Sequence, residues 1–500
     1  MKDKFAHWDV LFIQYLKRDW KILSAWIVGL GLFSGGFVPA FVEITKGQGL
    51  IGMYETMKNP AMIAMVGRTP IKEAADYTLG AMYSHMMLLF CSLFAMIASV
   101  LYVVSHTRKE EENGLTEFIC TYSIGRYANS FALMIEQMMV HSILSVFIAV
   151  IMIWFDTKTI DTAPAFLFGG SIGLAGMMGA VIALLMAQIM ASAGGAMGWS
   201  LGIVGLLYVI RGGTDAADSG LSVINPMGWT YMTYPFTKNN WILIIPCIIF
   251  CIVIMIISLI LEKERDIGAG YIPESGKRSK VKKSLLSVHG LMLRLNRNTI
   301  IGWSVTLFLL GAAYGSIYGD MQTFLSGNEL LEAMFTAEGI SIEESFTMTI
   351  MVVLSGIAMI LPIAVMNRLV AEEVSGRLGA LYATKTGRGK MYWMTAIIAS
   401  IMGALALLSA SLGLGGTAVS VMEDSKMELI EFIQAGLNYF PVILFITALS
   451  GAILGVVPKY AKLLYIYGIQ YFSELFLKYF KFSGVGGKNC NSKLDSKNAG

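Results

Sequence analysis

Runs of about 20 apolar residues, each long enough to cross roughly 30 Å of hydrocarbon as a helix, recur along this chain and fix most of what it can fold into. Six lie near 22–42, 82–105, 129–154, 165–192, 197–212 and 241–261. After a charged interval, five more follow near 299–318, 346–366, 391–414, 436–457 and 461–480. Composition agrees, since 56% of the 500 residues are hydrophobic and only 14% are charged, where a soluble domain carries about a quarter charged residues. The pattern predicts an all-α polytopic membrane protein of about 11 transmembrane helices, six and then five. A net charge of +3, unevenly spread, excludes a nucleic-acid partner and leaves the lipid bilayer as the first partner.

The intervals between runs set domains and orientation. Residues 1–261 form a first transmembrane half, 262–297 a linker with nine Lys or Arg against four acids, 298–480 a second half, and 481–500 a polar tail expected to be disordered. The 320–345 interval carries Asp320, Glu329, Glu332, Glu338, Glu343 and Glu344 with no base, whereas 367–390 carries five basic residues. The positive-inside bias then puts the N-terminus, the linker and 367–390 in the cytoplasm of a plasma-membrane protein. The amino-terminal 21 residues are too charged for a cleavable leader and read as an amphipathic surface helix entering an uncleaved first span. On the outer side, MYETMKNPAMIAMVG within 43–80 reads as a surface helix over the exit.

The two halves repeat. An offset of 262 puts Glu110 and Glu111 over Glu372 and Glu373, Gly114 over Gly376, and Gly125–Arg126 over Gly387–Arg388. LKRDWKILSAW at 16–26 likewise matches LRLNRNTIIGW at 293–303. Both halves start inside and carry the element on the same face, so the repeat is parallel, about an axis along the membrane normal. Each element follows the second span of its half. In the first, Leu115, Phe118 and Ile119 fall on one side and Glu110, Glu111 and Glu117 on the other, so a short amphipathic helix is expected to lay its apolar side on the bundle and present carboxylates to a cytoplasmic partner. Gly114 and the Gly125–Arg126 pair serve as turn elements. A plain solvated connector would also satisfy one such loop, but its recurrence at matched spacing favours coupling.

The E-E-x-x-G…G-R loops, NPMGW at 225–229 and ERDIGAG at 264–270 resemble the fused permease of ABC-2 type exporters, and within it the permeases of polyketide and tetronasin-like antibiotic export. The resemblance covers residues 1 to about 475. It implies a transport subunit, not an enzyme, that moves an amphiphilic small molecule outward while two copies of a separate ABC ATPase subunit, holding ATP and Mg²⁺, dock on 107–126 and 367–388. The coupling residues would be Glu110, Glu111, Gly114, Glu117, Gly125, Arg126, Glu372, Glu373, Gly376, Gly387 and Arg388. Against the same pattern a sixth helix of the second half is missing, which marks that half as shortened.

The chain's own residues agree on the energy source. Neither TGRGKM at 386–391 nor GVGGKN at 484–489 has the spacing and hydroxyl of a phosphate-cradling loop. No catalytic, cofactor-binding or metal-ligating constellation stands out, and Cys247 and Cys251, one turn apart, read as packing residues. The alternative is an ion-gradient-driven secondary multidrug transporter, for which Glu136 and His141 in the third span are the intramembrane polar candidates, with His85 in the second. Glu136 and His141 are five apart, about 140° around a helix, and are expected on different faces. Gly169 and Gly173, and Gly194, Gly198 and Gly202, are spaced for close packing of the fourth and fifth spans.

Overall fold

A computed structural model describes residues 4–45, 49–155, 157–272, 287–320, 341–384, 386–422 and 427–457. Within them the protein is all-α, with ten helical segments long and apolar enough to cross a membrane. The expected eleventh, near 461–480, lies outside the described residues, as does most of the acidic interval 320–345. The chain divides into two compact units, residues 1–277 and 278–500.

The long helices of the first unit are α1 (Trp8–Gly35), α2 (Leu79–His106), α3 (Ala128–Trp154), α4 (Thr162–Ile189), α5 (Ala193–Ala216) and α6 (Ile244–Glu264). Polar N-caps set two of the starts: Thr78 Oγ1 accepts from Ala81 N–H and Ser192 Oγ from Gly195 N–H, each at 3.3 Å. The most buried helix is α4, because its glycines admit neighbouring backbones. A Cβ on Gly169 or Gly173 would collide with the Ser145 and His141 carbonyls of α3, and one on Gly179 with Met96 of α2. The expected partner of that stripe was the fifth span; it is α3 instead. Gly194, Gly198 and Gly202 of α5 face open space among the described residues, so the same four-residue spacing there brings no helix close. Much of α6 is likewise open, its isoleucines from Ile245 to Ile260 being largely exposed, as a lipid-facing helix requires.

In the second unit the long helices are α7 (Val288–Gly315), α8 (Ile342–Ala358), α9 (Ile360–Val374), α10 (Arg388–Val421), α11 (Leu429–Leu437) and α12 (Phe440–Val456). The central one is α10, against which α7, α9, α11 and α12 pack. Two apolar runs are each split in two by proline. Pro362 and Pro441 have no N–H for the carbonyl four residues back, and those carbonyls belong to Ala358 and Leu437, the last residues of α8 and α11. Small residues again set the closest approach. Gly311 meets Ala410 O and Gly413 meets Phe308 O, as Gly35 of α1 meets Ile148 O of α3, so in both units the first long helix lies tight against the third span.

The amino-terminal segment differs from expectation. No break separates a surface helix from a span beginning at 22; α1 runs unbroken for 28 residues, about 42 Å at 1.5 Å per residue. Its first half holds no proline or glycine to bend it, and Tyr15 and Asp19 are buried against the bundle. The 43–80 segment is also not a single surface helix. It contains Gly49–Thr56 and Pro60–Val66, split where Asn59 precedes Pro60, and buries Met53, Tyr54, Met57 and Val66.

These packings separate two kinds of glycine. Gly311→Val should force α7 from α10 at a cost of about 1–3 kcal/mol, whereas Gly198→Val should stay within roughly 0.5–1 kcal/mol, the propensity range alone. Thermal unfolding of the detergent-purified chain, followed by tryptophan fluorescence, measures the contrast, and equal losses would refute it.

Candidate functional site

The 107–126 element is built by prolonging α2. After His106 one further turn, Arg108–Glu112, carries the chain to Gly114, whose φ of 76° is the left-handed conformation that a side chain disfavours. A short helix, Leu115–Cys120, then leads to Gly125, which opens a turn through Arg126 and Tyr127, its carbonyl accepting from Ala128 N–H at 3.0 Å, and also lets the chain approach another segment. A Cβ there would strike the backbone of Lys4 and Ala6; instead Gly125 N–H donates to Ala6 O and Tyr127 N–H to Lys4 O, both at 3.0 Å.

Glu110 and Glu111 point inward while Glu117 faces out, which corrects the expected polarity of this element in part. Glu111 is held by two guanidiniums: Arg265 donates from Nη1 at 2.6 Å and Nη2 at 3.0 Å, and Arg108 from Nη1 at 2.9 Å. Gly268 N–H adds a fourth bond at 2.5 Å. Arg108, itself buried, also donates to the carbonyls of Ala191 at 2.8 Å and Ala269 at 3.0 Å. ERDIGAG is therefore the strap that wraps Glu111, with Gly270 set so close to Ala191 that a Cβ would collide with it. Glu110, also buried, pairs with Arg18 of α1 at 2.8 Å. Facing out are Leu115, Phe118, Tyr122 and Glu117, with Phe118 and Tyr122 in an edge-to-face pair at 5.6 Å. Leu115 and Phe118 are outward while Ile119 packs against the bundle, and Glu110 and Glu111 turn in because Arg18 of α1, Arg108 of their own turn and Arg265 beyond α6 outcompete water for them. Arg126 donates through Nε and Nη2 to Glu262 O, at 3.1 and 2.8 Å, and to Arg265 O.

The second unit repeats the build with weaker fastening. Gly376, at φ 72°, is the equivalent left-handed turn, Gly379–Tyr382 the short helix, and Gly387 the N-cap residue of α10. Glu372 is buried and pairs with Arg377 at 3.2 Å, while Glu373 pairs with Arg388 at 3.2 Å on a largely exposed surface. Among the described residues nothing lies within reach of a Cβ on Gly387, so its match to Gly125 does not extend to a close approach there.

Beside the first element lies a cavity of about 510 Å³, walled by Lys4, Thr116, Ile119, Arg126, Glu262 and Ile267 among others.

Glu136 and His141 do reach a common neighbour despite their angular separation. Tyr102 of α2 donates to Glu136 Oε2 at 2.9 Å, and Ser99, one turn away, lies 2.7 Å from His141 Nε2. Glu136 is fully buried, not extended to the membrane surface. From it a chain of polar contacts leads through Tyr102, stacked on His106 at 4.0 Å, to Asp19, 3.1 Å from His106 Nε2, then to Arg18 at 2.8 Å and Glu110. His85 bonds Tyr77 Oη and Gly67 O, both at 2.9 Å.

One cluster was not anticipated. At the far end of α5, Arg211 is fully buried, bonded to Asp215 at 3.0 Å and to Ala64 O at 2.6 Å, and lies over the rings of Tyr208 and Tyr231. Tyr231 donates to Asp215 at 2.8 Å, and burial pushes its hydroxyl pKa up, keeping the proton that the bond needs. NPMGW positions it: Asn225 caps the Pro226–Tyr231 helix and ties to Leu207 O at 2.8 Å. An arginine four residues before an aspartate at the end of an apolar run was the available signal.

Two comparisons bear on the chain. A family model described as the C-terminal domain of the multidrug efflux system permease Rv1217c matches residues 285–483. The multidrug efflux system permease protein Rv1217c of Mycobacterium tuberculosis (strain ATCC 25618 / H37Rv) is 25% identical over 455 residues, spanning 89% of this chain and 81% of the relative.

Burial ranks the two elements. Glu111→Ala would strand two guanidiniums and should cost about 3–5 kcal/mol, with rapid proteolysis within 107–126. Glu373→Ala should cost no more than about 1 kcal/mol. Limited proteolysis alongside thermal unfolding checks both, and a fully stable Glu111→Ala protein would contradict the clamp.

Proposed function

We propose that this chain is the membrane-spanning permease of an efflux system and moves an amphiphilic, drug-like molecule out of the cell. In this reading ATP is bound with Mg²⁺ and hydrolysed on a separate ABC ATPase chain, two copies of which dock on 107–126 and 367–388, both in the cytoplasm with the N-terminus. The observation that carries it is the shared build of these elements: a prolonged helix ending in Glu-Glu, a left-handed glycine, a short helix and a Gly-Arg pair opening the next span. The similarity to a multidrug efflux permease along most of the chain supports the transport part of the reading. Because Glu110 and Glu111 are internal fasteners, the docking contact in the first half falls to Leu115, Phe118 and Tyr122, an exposed apolar and aromatic patch of the kind that anchors interfaces. ATP-driven closure of the ATPases would push on this patch, and the clamp would pass the displacement to α2, α4 and α6 as one body.

The double substitution Phe118→Asp and Tyr122→Asp should reduce retention of a co-expressed ATPase about tenfold or more, the loss of one interface hot spot, while membrane insertion is unchanged. Full retention would refute docking there. Cys120, an exposed thiol in the same short helix, should be labelled by an impermeant maleimide only in permeabilised cells; labelling of intact cells would reverse the orientation.

A second reading, an ion-gradient-driven transporter, is favoured by the buried polar chain that ends at Glu136. It requires efflux from loaded vesicles that collapses with an uncoupler and persists without ATP, and that Glu136→Gln abolishes.

A further inference from the structure

The cavity beside the first element contains a carboxylate with an unused oxygen. Glu262, near the end of α6, lines this cavity, and its Oε2 is buried and without a hydrogen-bond partner among the described residues. Such an acceptor calls for an N–H or O–H donor. The surrounding charge calls for something more. Lys4, Arg108, Arg126 and Arg265 line the cavity against Glu111 and Glu262, which leaves two positive charges in excess. Arg108 and Arg265 already share Glu111. Lys4, whose ammonium lies 5.9 Å from the centre of the Tyr127 ring and has no carboxylate partner among the described residues, and Arg126, whose Nη1 makes no bond there, remain to meet an anion.

A ligand that satisfies both demands carries a phosphate and, a few bonds away, a hydrogen-bond donor. Ile119, Ile124 and Ile267 in the same wall add apolar surface, and the cavity abuts α6, whose outward face is exposed isoleucine for most of its length. Its volume of about 510 Å³ is within the range of small-molecule sites. We propose that this cavity is a binding site for a phospholipid headgroup, its phosphate held by Lys4 and Arg126 and its terminal ammonium or hydroxyl donating to Glu262. Phosphatidylethanolamine and phosphatidylglycerol fit this chemistry. Phosphatidylcholine does not, because its nitrogen carries three methyls and no N–H.

The test uses the full chain purified in detergent, titrated with the three lipids at matched acyl chains and read by native mass spectrometry, which requires no transport and no ATPase. Phosphatidylethanolamine and phosphatidylglycerol should bind about tenfold tighter than phosphatidylcholine, as expected for one charge-assisted hydrogen bond to a buried carboxylate. Glu262→Gln should bring that ratio below about twofold. Lys4→Ala, at an exposed side chain whose loss leaves the fold intact, should weaken all three lipids together by several-fold through the shared phosphate. Equal binding of phosphatidylcholine by the wild-type protein would overturn the proposal, as would an unchanged preference in Glu262→Gln. Displacement of lipid by water-soluble glycerophosphoethanolamine at equal concentration would overturn the lipid assignment in favour of a free phosphate ester.

Discussion

Glu111 is one carboxylate serving two guanidiniums and a backbone N–H, and the end of the first unit that carries it is organised around that arrangement. Removing a carboxylate from water is expensive, and the cost is recovered only where its lone pairs are filled with good geometry. Here the donors come from three places: Arg108 on the prolonged α2, Arg265 just beyond α6, and Gly268 in the strap. The second guanidinium charge is not left bare, because Arg108 also donates to the carbonyls of Ala191, Gly268 and Ala269. The ends of α2, α4 and α6 are thereby bound into a single body. Gly268 and Gly270 follow from this geometry, the first at φ 84° in the left-handed region and the second where only a hydrogen fits beside Ala191.

The second unit shows the element with no such strap among the described residues. Glu372 keeps a buried site, but its partners Arg368 and Arg377 come from its own stretch of chain, and Glu373 meets Arg388 in the open. Pairs of that kind contribute about 0–1 kcal/mol. A duplicated sequence pattern has therefore produced one element fastened to its bundle and one tied mainly to itself. The difference originates outside the repeat, in ERDIGAG, for which the described residues of the second unit supply no counterpart.

Most of the helical framework was legible because twenty-residue apolar runs leave the backbone little alternative, and the two proline breaks follow from the same covalent rule. What was not legible is which side of a short amphipathic helix faces in. Leu115, Phe118 and Ile119 opposite Glu110, Glu111 and Glu117 specify two faces, yet Ile119 turns in and Glu117 out, and Glu110 and Glu111 were drawn inward by arginines at 18, 108 and 265, one of them 154 positions away in sequence. The glycine stripes teach the same lesson. Gly169 and Gly173 receive α3 whereas Gly194, Gly198 and Gly202 receive nothing from the described chain, and no feature of the spacing distinguishes them. Arg211 differs from these: its position at the end of an apolar run, four residues before Asp215, meets the same criterion of intramembrane charge as Glu136 and was legible in the sequence.

The clamp and the Arg211 cluster are joined by α5, and their positions make that helix a strut. At its N-terminal end Ala193 N–H donates to Glu112 Oε1 at 2.6 Å, directly after the Glu110–Glu111 pair. At its C-terminal end Arg211 binds the carbonyls of Ala64 and Met65 in the Pro60–Val66 helix, and Gly212 lies so close to Ala64 O that a Cβ would collide with it. Between these anchors α5 buries little of its surface, so its midsection offers small resistance to sliding. A helix of 24 residues transmits an axial displacement over about 36 Å with little compression. Motion of the Arg108–Glu112 turn must therefore either break the bond at Ala193 or carry the Pro60–Val66 segment with it. Three hydrogen bonds of Arg211 to that segment, to the carbonyls of Ile63, Ala64 and Met65, made by a guanidinium with no access to water, are costlier to break than one exposed bond at Glu112, so a strain that exceeds both is released first at the Glu112 end.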